Sequence, residues 1–227
     1  MKTNTFALRA GLLALTGAAL FSACKKDEPA APVTQQPNNP ASTSTYIPIT
    51  DGSYWIYQEE STDSLGTVTN VYSVDSTFVA GDTTIGANTY KRIITTTLSG
   101  SSMYFFTTEL YLRDSSGYIV DRNGDYIPFA NHTDTLRTVT IPVDTNYTLT
   151  EYFFMRHIDS TVTVPAGTFQ TVNYRSDNYY DDPAYNHPNP RHSHRIFAEN
   201  VGEIVQIKYF LSQAGYVQKR LLRYHIQ

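Results

Sequence analysis

Cysteine is almost absent from this sequence: its 227 residues include only Cys24. No disulfide can form within the chain, so the fold depends on its hydrophobic core. Basic residues are also few, with 17 Lys and Arg against 21 Asp and Glu and a net charge of −4. We find no basic stripe, which argues against nucleic acid as a partner and against electrostatic attraction to anionic lipid headgroups.

Motifs for covalent or phosphoryl chemistry are missing as well. The sequence has no Gly-x-Ser-x-Gly, no active cysteine and no glycine-rich phosphate loop. Adjacent acidic residues such as Glu59 and Glu60 point to opposite sides of an extended strand, so they do not form an acid/base pair. These absences favour a non-catalytic protein and leave an enzymatic role undecided.

The apolar run over residues 10–21 is too short to span a bilayer, which takes about 20 residues. Lys2 and Arg9 precede this run and small residues end it, as in the core of a secretory signal. Residues 20–24 (LFSAC) resemble the lipobox of bacterial lipoproteins, which implies cleavage after residue 23 and lipidation of Cys24. An ordinary secretory signal that leaves a free thiol is the alternative.

A proline-rich segment separates this leader from the remainder of the chain. Residues 25–45 hold four of the 11 prolines and almost nothing apolar, a composition that cannot bury enough surface to become ordered. All 18 tyrosines and the single tryptophan lie from Tyr46 onward. We predict a lipoprotein signal peptide over residues 1–23, a lipidated cysteine and disordered tether over 24–45, and a single β domain over 46–227.

The domain shows the period-two pattern of half-buried strands, interrupted at short intervals by Gly, Asn, Asp and Pro. The pair Asn123-Gly124 is typical of a two-residue type I′ hairpin turn, and residues 165–167 (PAG) of a three-residue loop with a bulge. We predict an all-β fold of about ten to twelve strands, an antiparallel curved sheet forming a half-barrel or barrel, with a sandwich as the alternative.

Three further segments carry a family resemblance: residues 51–57 (DGSYWIY), 164–169 (VPAGTF) and 197–205 (FAENVGEIV). Together they resemble a family of Bacteroidota outer-membrane lipoproteins of unknown function, with Gly-x-x-Trp-x-Tyr, Val-Pro-Ala-Gly-Thr-Phe and Val-Gly-x-Ile-Val segments. The resemblance implies an antiparallel half-barrel similar to lipoprotein carriers. It brings no established activity.

A histidine-rich stretch over residues 179–195 is the best candidate for chemistry. His192 and His194 are two residues apart, so in an extended chain both project to one side. His187, Asp181 or Asp182 is then a third ligand for a divalent metal such as zinc, with an open coordination position. The alternative is a solvated loop or the rim of a ligand site.

Aromatic residues are abundant, with 18 Tyr and 11 Phe. Tyr179, Tyr180 and Tyr185 together suit a platform for a small molecule, glycan or protein, because each offers a flat apolar ring with a polar tip. Aromatic residues also simply favour strands and fill curved sheets.

These features predict an envelope protein held to the membrane by its lipid anchor, most simply a non-catalytic binding or interaction module. A metal-dependent hydrolase using the histidines of residues 187–194 and a purely structural envelope lipoprotein are the alternatives. Residues 26–28 (KDE) are similar to the charged export signals of Bacteroidota surface lipoproteins. We therefore expect an outer-membrane location, with the domain facing the cell surface in preference to the periplasm.

Overall fold

The computed structural model describes residues 43–100, 104–130, 133–143, 147–181, 191–210 and 214–227. The predicted signal peptide, Cys24 and nearly all of the tether lie outside these residues. One helical turn, α1 (Thr43–Tyr46), precedes eleven strands, and no helix in the described ranges has the length and apolarity to cross a membrane. The strands are β1 (Tyr54–Thr62), β2 (Val68–Ile85), β3 (Asn88–Ser99), β4 (Phe105–Ser115), β5 (Tyr118–Asp121), β6 (Thr135–Pro142), β7 (Thr148–Val164), β8 (Gly167–Tyr180), β9 (Arg191–Ala198), β10 (Gly202–Tyr209) and β11 (Tyr216–His225).

All eleven strands form one antiparallel sheet in the order β5-β4-β3-β2-β1-β11-β10-β9-β8-β7-β6. The first and last strands therefore pair at the centre, and each half of the sheet runs outward as a meander to its own edge. The prediction of an all-β antiparallel fold with ten to twelve strands is confirmed. The edge strands β5 and β6 do not pair with each other within the described residues, so the sheet is open and corresponds to the half-barrel form.

Register shifts bend the longest strands. They interrupt the ladders at Ile56/Tyr57 in β1, at Val79/Asp82 in β2 and at Arg156/Ser160 in β7. Each bulge adds local twist and lets the sheet curl. The curl brings the tip of the β7–β8 hairpin to β11, where the backbone N–H of Ala166 donates to the carbonyl of Leu221 over 3.2 Å.

Two apolar clusters form the core, and we call the face of the sheet that carries Trp55, Leu221 and Phe197 the core face. The larger is built around Trp55, Leu221 and Ile204, and the smaller around Met155 and Phe197. Ala198 and Val205 of the larger cluster are buried on the opposite face. In β1 and β2 the alternation is clear: Tyr57 and Asp75 are buried on the core face. Tyr54, Val74, Phe78 and Leu98 are more than a third exposed and mark the opposite, outer face.

Two of the segments that carried the family resemblance pack on each other. The indole Nε1 of Trp55 donates to the carbonyl of Val201 over 2.6 Å, and the hydroxyl of Tyr57 donates to the carbonyl of Glu203 over 2.9 Å. Gly202 has φ +106°, and a Cβ there would lie 3.3 Å from Trp55 Nε1. The turn between β9 and β10 is thus fixed to the central strand by a contact that only glycine fits.

Two turn predictions were right in place and wrong in type. At Asn123-Gly124 only the glycine has a positive φ, +87°, whereas a type I′ turn needs positive φ at both residues. Asp121 Oδ1 accepts the backbone N–H groups of Asn123 and Asp125. The backbone N–H of Asp121 donates to the carbonyl of Asp125 over 2.8 Å, so the loop has three residues and not two. In the β7–β8 hairpin Val164 pairs with Gly167, so the loop has two residues and not three.

Candidate functional site

The two predicted metal-binding histidines lie within β9, and not in a long loop. His192 and His194 point to the same side of the strand, with ring centres 6.5 Å apart, as the spacing predicted. They lie on the outer face, because their cross-strand partners Asp177 and Arg175 alternate with Tyr174 of the core face. His187 and Asp182 lie outside the described residues.

Each histidine has a protein partner. Nδ1 of His192 lies 2.9 Å from Oδ1 of Asp177, whose carboxylate also accepts from Arg175 Nε over 2.5 Å. Burial raises the pKa of Asp177, but Arg175 and then His192 outweigh it and hold that pKa below its usual range. Burial, together with the charges of Arg175 and His192, lowers the pKa of His194 to about 4. These contacts position the rings; they do not by themselves form a metal site.

The other predicted ligands are separated. The carboxylate of Asp181 accepts the backbone N–H and the hydroxyl of Thr148 over 2.5 and 2.8 Å, and these bonds lower its pKa. Among the residues that the structure describes, no three His, Cys, Asp or Glu side chains are arranged to hold a metal ion. With His187 and Asp182 undescribed, the metal site stays a prediction.

The predicted tyrosine platform is divided between two faces of β8. Tyr179 lies on the outer face, where its ring packs edge-on against Tyr152 at 5.5 Å. Tyr180 is the next residue and points to the core face, with its ring 6.4 Å from that of Tyr147. Tyr185 lies outside the described residues. Neighbouring residues of a strand cannot present one flat surface.

The core face carries a different site that the sequence did not reveal. A row of cross-strand partners crosses six strands that are adjacent in the sheet, in the order β1-β11-β10-β9-β8-β7. Its members are Glu59, Lys219, Gln206, Arg195, Tyr174 and Met155. Beside this row runs a second one that includes Lys208, Ser193, Ser176 and Phe153. We call the depression above these two rows the groove.

The groove contains two cavities that share three lining residues, Gln206, Lys208 and Tyr209. One cavity, of about 340 Å³, lies over β7 to β10 and reaches Glu151 and Asn178. The other, of about 300 Å³, lies over β10, β11 and β1. Small-molecule sites have volumes of about 300–1,000 Å³, so either cavity is at the lower limit and the two together lie well within the range.

Two ion pairs fix the floor of the groove. The guanidinium of Arg195 holds the carboxylate of Glu203 with two hydrogen bonds, of 2.9 and 2.8 Å. The ammonium of Lys219 contacts the carboxylate of Asp75 and lies 4.8 Å from the ring centre of Tyr57. Because Asp75 is only 5% exposed, this second pair is largely removed from water. Both pairs are internally neutralised and leave the groove without a dominant charge.

Other polar groups of the groove are uncommitted. The side chains of Glu59, Glu151, Gln206 and Lys208 line the cavities and make no hydrogen bond or ion pair to any part of the chain that the structure describes. The Oδ1 atom of Asn178 is buried without a described partner, although its Nδ2 donates to Ser193 over 3.3 Å. Burial raises the pKa of Glu151. Buried polar groups are normally satisfied, so the unpaired Oδ1 of Asn178 marks the cavity wall as a place for a ligand donor. The other four side chains are partly or fully exposed.

Sequence reasoning missed this groove because its residues come from six strands far apart in the chain. The only local signal is the alternation of Gln206 and Lys208 in β10, which is also what a solvated strand face shows. The central pairing of β1 with β11, which brings Glu59 beside Lys219, is visible only in the structure.

Comparison with known proteins shows what the described fold is similar to. No protein-family model matches the sequence, and no curated protein matches it. A solved exported protein with a YmcC-like fold from Bacteroides fragilis is 13% identical, with a TM-score of 0.53, over 80% of this chain and 99% of that one. A solved lipoprotein from Parabacteroides distasonis is 14% identical over the same shares, with a TM-score of 0.47. The open eleven-stranded sheet is therefore similar in fold to the YmcC-like protein.

Proposed function

We propose that this protein is a lipid-anchored envelope module that binds a ligand in the groove. The observation that carries the proposal is the set of unpaired polar side chains around two adjacent cavities that share lining residues. Leaving the buried Oδ1 of Asn178 unpaired costs about 1–3 kcal/mol, a cost that a bound ligand with a matching donor removes.

The anchor in this proposal is the thioether of Cys24, carrying acyl chains into the membrane. The lipobox-like residues 20–24 support it, and so does the fold likeness to a protein described as exported. Each buried CH₂ of an acyl chain contributes about 0.8 kcal/mol, and two or more chains give stable anchoring. The tether over residues 25–45 then holds the domain away from the outer membrane, with residues 26–28 directing it to the surface.

Mass spectrometry of the mature protein tests the anchor. We expect the chain to begin at Cys24 with a mass increase from a diacylglyceryl group, and Cys24→Ala to move the protein from the membrane to the soluble fraction. Protease treatment of intact cells is expected to remove the domain if it faces the surface. A free thiol at Cys24 would refute the anchor.

A blocked groove tests the binding role. Ser193→Phe places a ring in the middle of the groove, and Ser76→Phe places the same ring on the outer face of β2 as a matched control. We expect native mass spectrometry of protein gently extracted from membranes to show a bound ligand with the unaltered chain and with Ser76→Phe, but not with Ser193→Phe. Equal ligand retention by both variants would show that the groove is not the site.

A further inference from the structure

We infer that the ligand of the groove is a chain of linked sugars with little net charge. This inference rests on the proposed binding function and adds the chemical class of the ligand. Three properties of the groove lead to it: its length across the sheet, its mixture of uncommitted donors and acceptors, and its combination of aromatic surface with balanced charge.

The groove is long enough for an extended ligand. It crosses the sheet from β7 to β1, which are five strand spacings apart in the order of the sheet. Neighbouring strands lie about 4.8 Å apart, so the groove extends about 24 Å. The two cavities meet at Gln206 and Lys208, which lie between the two ends. A compact metabolite would fill one cavity and leave the polar groups of the other unpaired.

The uncommitted groups match hydroxyl chemistry. Lys208 offers only donors, the carboxylates of Glu59 and Glu151 offer only acceptors, and the amide of Gln206 offers both. Asn178 adds the buried acceptor Oδ1. A hydroxyl group both donates and accepts, so a polyhydroxylated chain satisfies this alternating set without needing a fixed pattern of its own. An acyl chain would leave every one of these groups desolvated and unpaired.

The aromatic part of the groove suits the apolar faces of sugar rings. Phe153 and Tyr174 stack on each other with ring centres 5.3 Å apart and an angle of 15° between planes. Phe153 lies in the 340 Å³ cavity beside Leu149, so the stacked pair provides a flat apolar surface next to Glu151. A ring with C–H groups on one face and hydroxyls at its edge uses both surfaces at once.

The charges argue against polyanions and against peptides as the main ligand. Arg195 and Lys219 are neutralised by Glu203 and Asp75, which leaves Lys208 to face Glu59 and Glu151. A polyanion would meet more negative than positive uncommitted charge. An extended peptide gains its affinity from main-chain pairing at a sheet edge, whereas the groove lies on a sheet face and offers only side chains.

The test uses the full mature, lipid-anchored protein in detergent micelles. It is applied to an array of neutral, amino-sugar and uronate oligosaccharides, and separately to sodium oleate and a library of unstructured peptides. We expect binding to a subset of the oligosaccharides, longer chains binding more tightly than disaccharides. Gln206→Ala and Glu151→Ala should each weaken that binding about tenfold, the effect of losing one or two hydrogen bonds. Gln218→Ala, on the outer face of β11, is the matched control and should change it less than twofold.

The outcomes separate the sugar class from the binding role itself. Oleate or peptide binding that is weakened by Gln206→Ala, with no oligosaccharide bound, would overturn the sugar assignment and keep the groove as the site. Oligosaccharide binding that is unchanged in both groove variants would overturn the assignment of the site. No binding of any probe would overturn both. Thermal melting of each variant distinguishes lost contacts from lost folding.

Discussion

The side chain of Asn173 donates from Nδ2 to Nδ1 of His194 over 3.0 Å. An amide donor needs an acceptor, so this contact holds His194 in the neutral form with its proton on Nε2. Asn173 is buried, and its Oδ1 has no partner in the described ranges. The amide can offer Oδ1 to a protonated His194 ring only by rotating, which breaks the bond from Nδ2.

His194 makes stability depend on pH on the acid side. Its pKa of about 4 in the folded protein lies below the usual value of 6.5, so the unfolded chain binds the proton more tightly. Its contribution to stability is complete above pH 6.5 and is lost as the pH falls toward 4. One pKa unit corresponds to about 1.4 kcal/mol, and because the ring is only half-buried we expect a screened loss of about 1–2 kcal/mol.

Urea unfolding at pH 7 and pH 4.5 measures this effect. The unfolding free energy should decrease less between pH 7 and pH 4.5 in His194→Gln than in the unaltered chain. His225→Gln removes an exposed histidine at the end of β11 and should leave the decrease unchanged. Identical pH profiles for both variants would show that His194 is not the responsible group.

The pair of Lys219 and Asp75 should be costly to break from one side. Lys219→Met leaves the buried carboxylate of Asp75 with one hydrogen-bond donor among the described residues, the hydroxyl of Thr97 at 2.7 Å. Removing one partner of a buried pair costs about 3–5 kcal/mol, and the partial exposure of Lys219 places our expectation near 3. Lys91→Met breaks ion pairs with Asp51 and Asp82, whose carboxylates are more than half exposed, and should cost less than about 1 kcal/mol.

A double variant provides the second measurement. In Lys219→Met with Asp75→Leu no charge is left unpaired, so the loss of unfolding free energy should be smaller than for Lys219→Met alone. Additive losses in the double variant would mean that the two side chains do not interact.

Gly202 should be intolerant of any side chain. Gly202→Ala meets both an unfavourable φ of +106° and the Trp55 indole at 3.3 Å, whereas Gly81→Ala has a similar φ of +99° and open space around the new Cβ. In both variants the positive φ destabilises the folded protein by about 1–2 kcal/mol. Gly202→Ala should lose about 1–2 kcal/mol more, because the Trp55–Val201 hydrogen bond must move. Thermal unfolding measures the stability of both variants. Equal losses of stability would show that the contact with the Trp55 indole plays no part.

Glu151 should respond to pH in the opposite direction to His194. Because burial raises its pKa, the folded protein favours the protonated carboxyl, and this contribution is lost as the pH rises through the folded pKa. Glu151→Gln should therefore raise the melting temperature at pH 8 relative to the unaltered chain, with little difference at pH 3.5. Exposed Glu199→Gln serves as the control, and a gain of the same size there would refute the assignment.

Metal analysis decides the histidine hypothesis. If His187 or Asp182 completes the site, inductively coupled plasma analysis of the purified full-length protein should find stoichiometric metal. The metal should be lost in His192→Ala and in His194→Ala and retained in His225→Ala. The absence of bound metal after dialysis against zinc, manganese and calcium would end the metal-dependent hydrolase alternative.

The fold class was predictable because local signals agree with one another. The alternation in β2 and the turn residues around Gly86 specify strands and hairpins within a few residues. The type of turn at Asn123 was not predictable from the sequence, because the carboxylate of Asp121 accepts backbone N–H groups that a type I′ turn would leave free. Side-chain competition for backbone donors is difficult to see in a sequence pattern.

The candidate site was not predictable for a different reason. The sequence directs attention to clusters such as His192 and His194, which are close in the chain and lie on the outer face. The groove depends on the partnership of Glu59 with Lys219 and of Gln206 with Arg195, and these pairs exist only once the register of the sheet is fixed. A shift of one residue in β10 would turn Gln206 and Lys208 to the other face.

The position of β11 beside β1 has a consequence for the order of events during synthesis. Contacts such as Arg220 with Glu60 join residues 160 positions apart, so strands β1 to β5 emerge from the ribosome long before their central neighbour exists. Folding dominated by such distant contacts is slow. The nascent N-terminal half therefore keeps the edge of β1 unpaired until β11 has been synthesised.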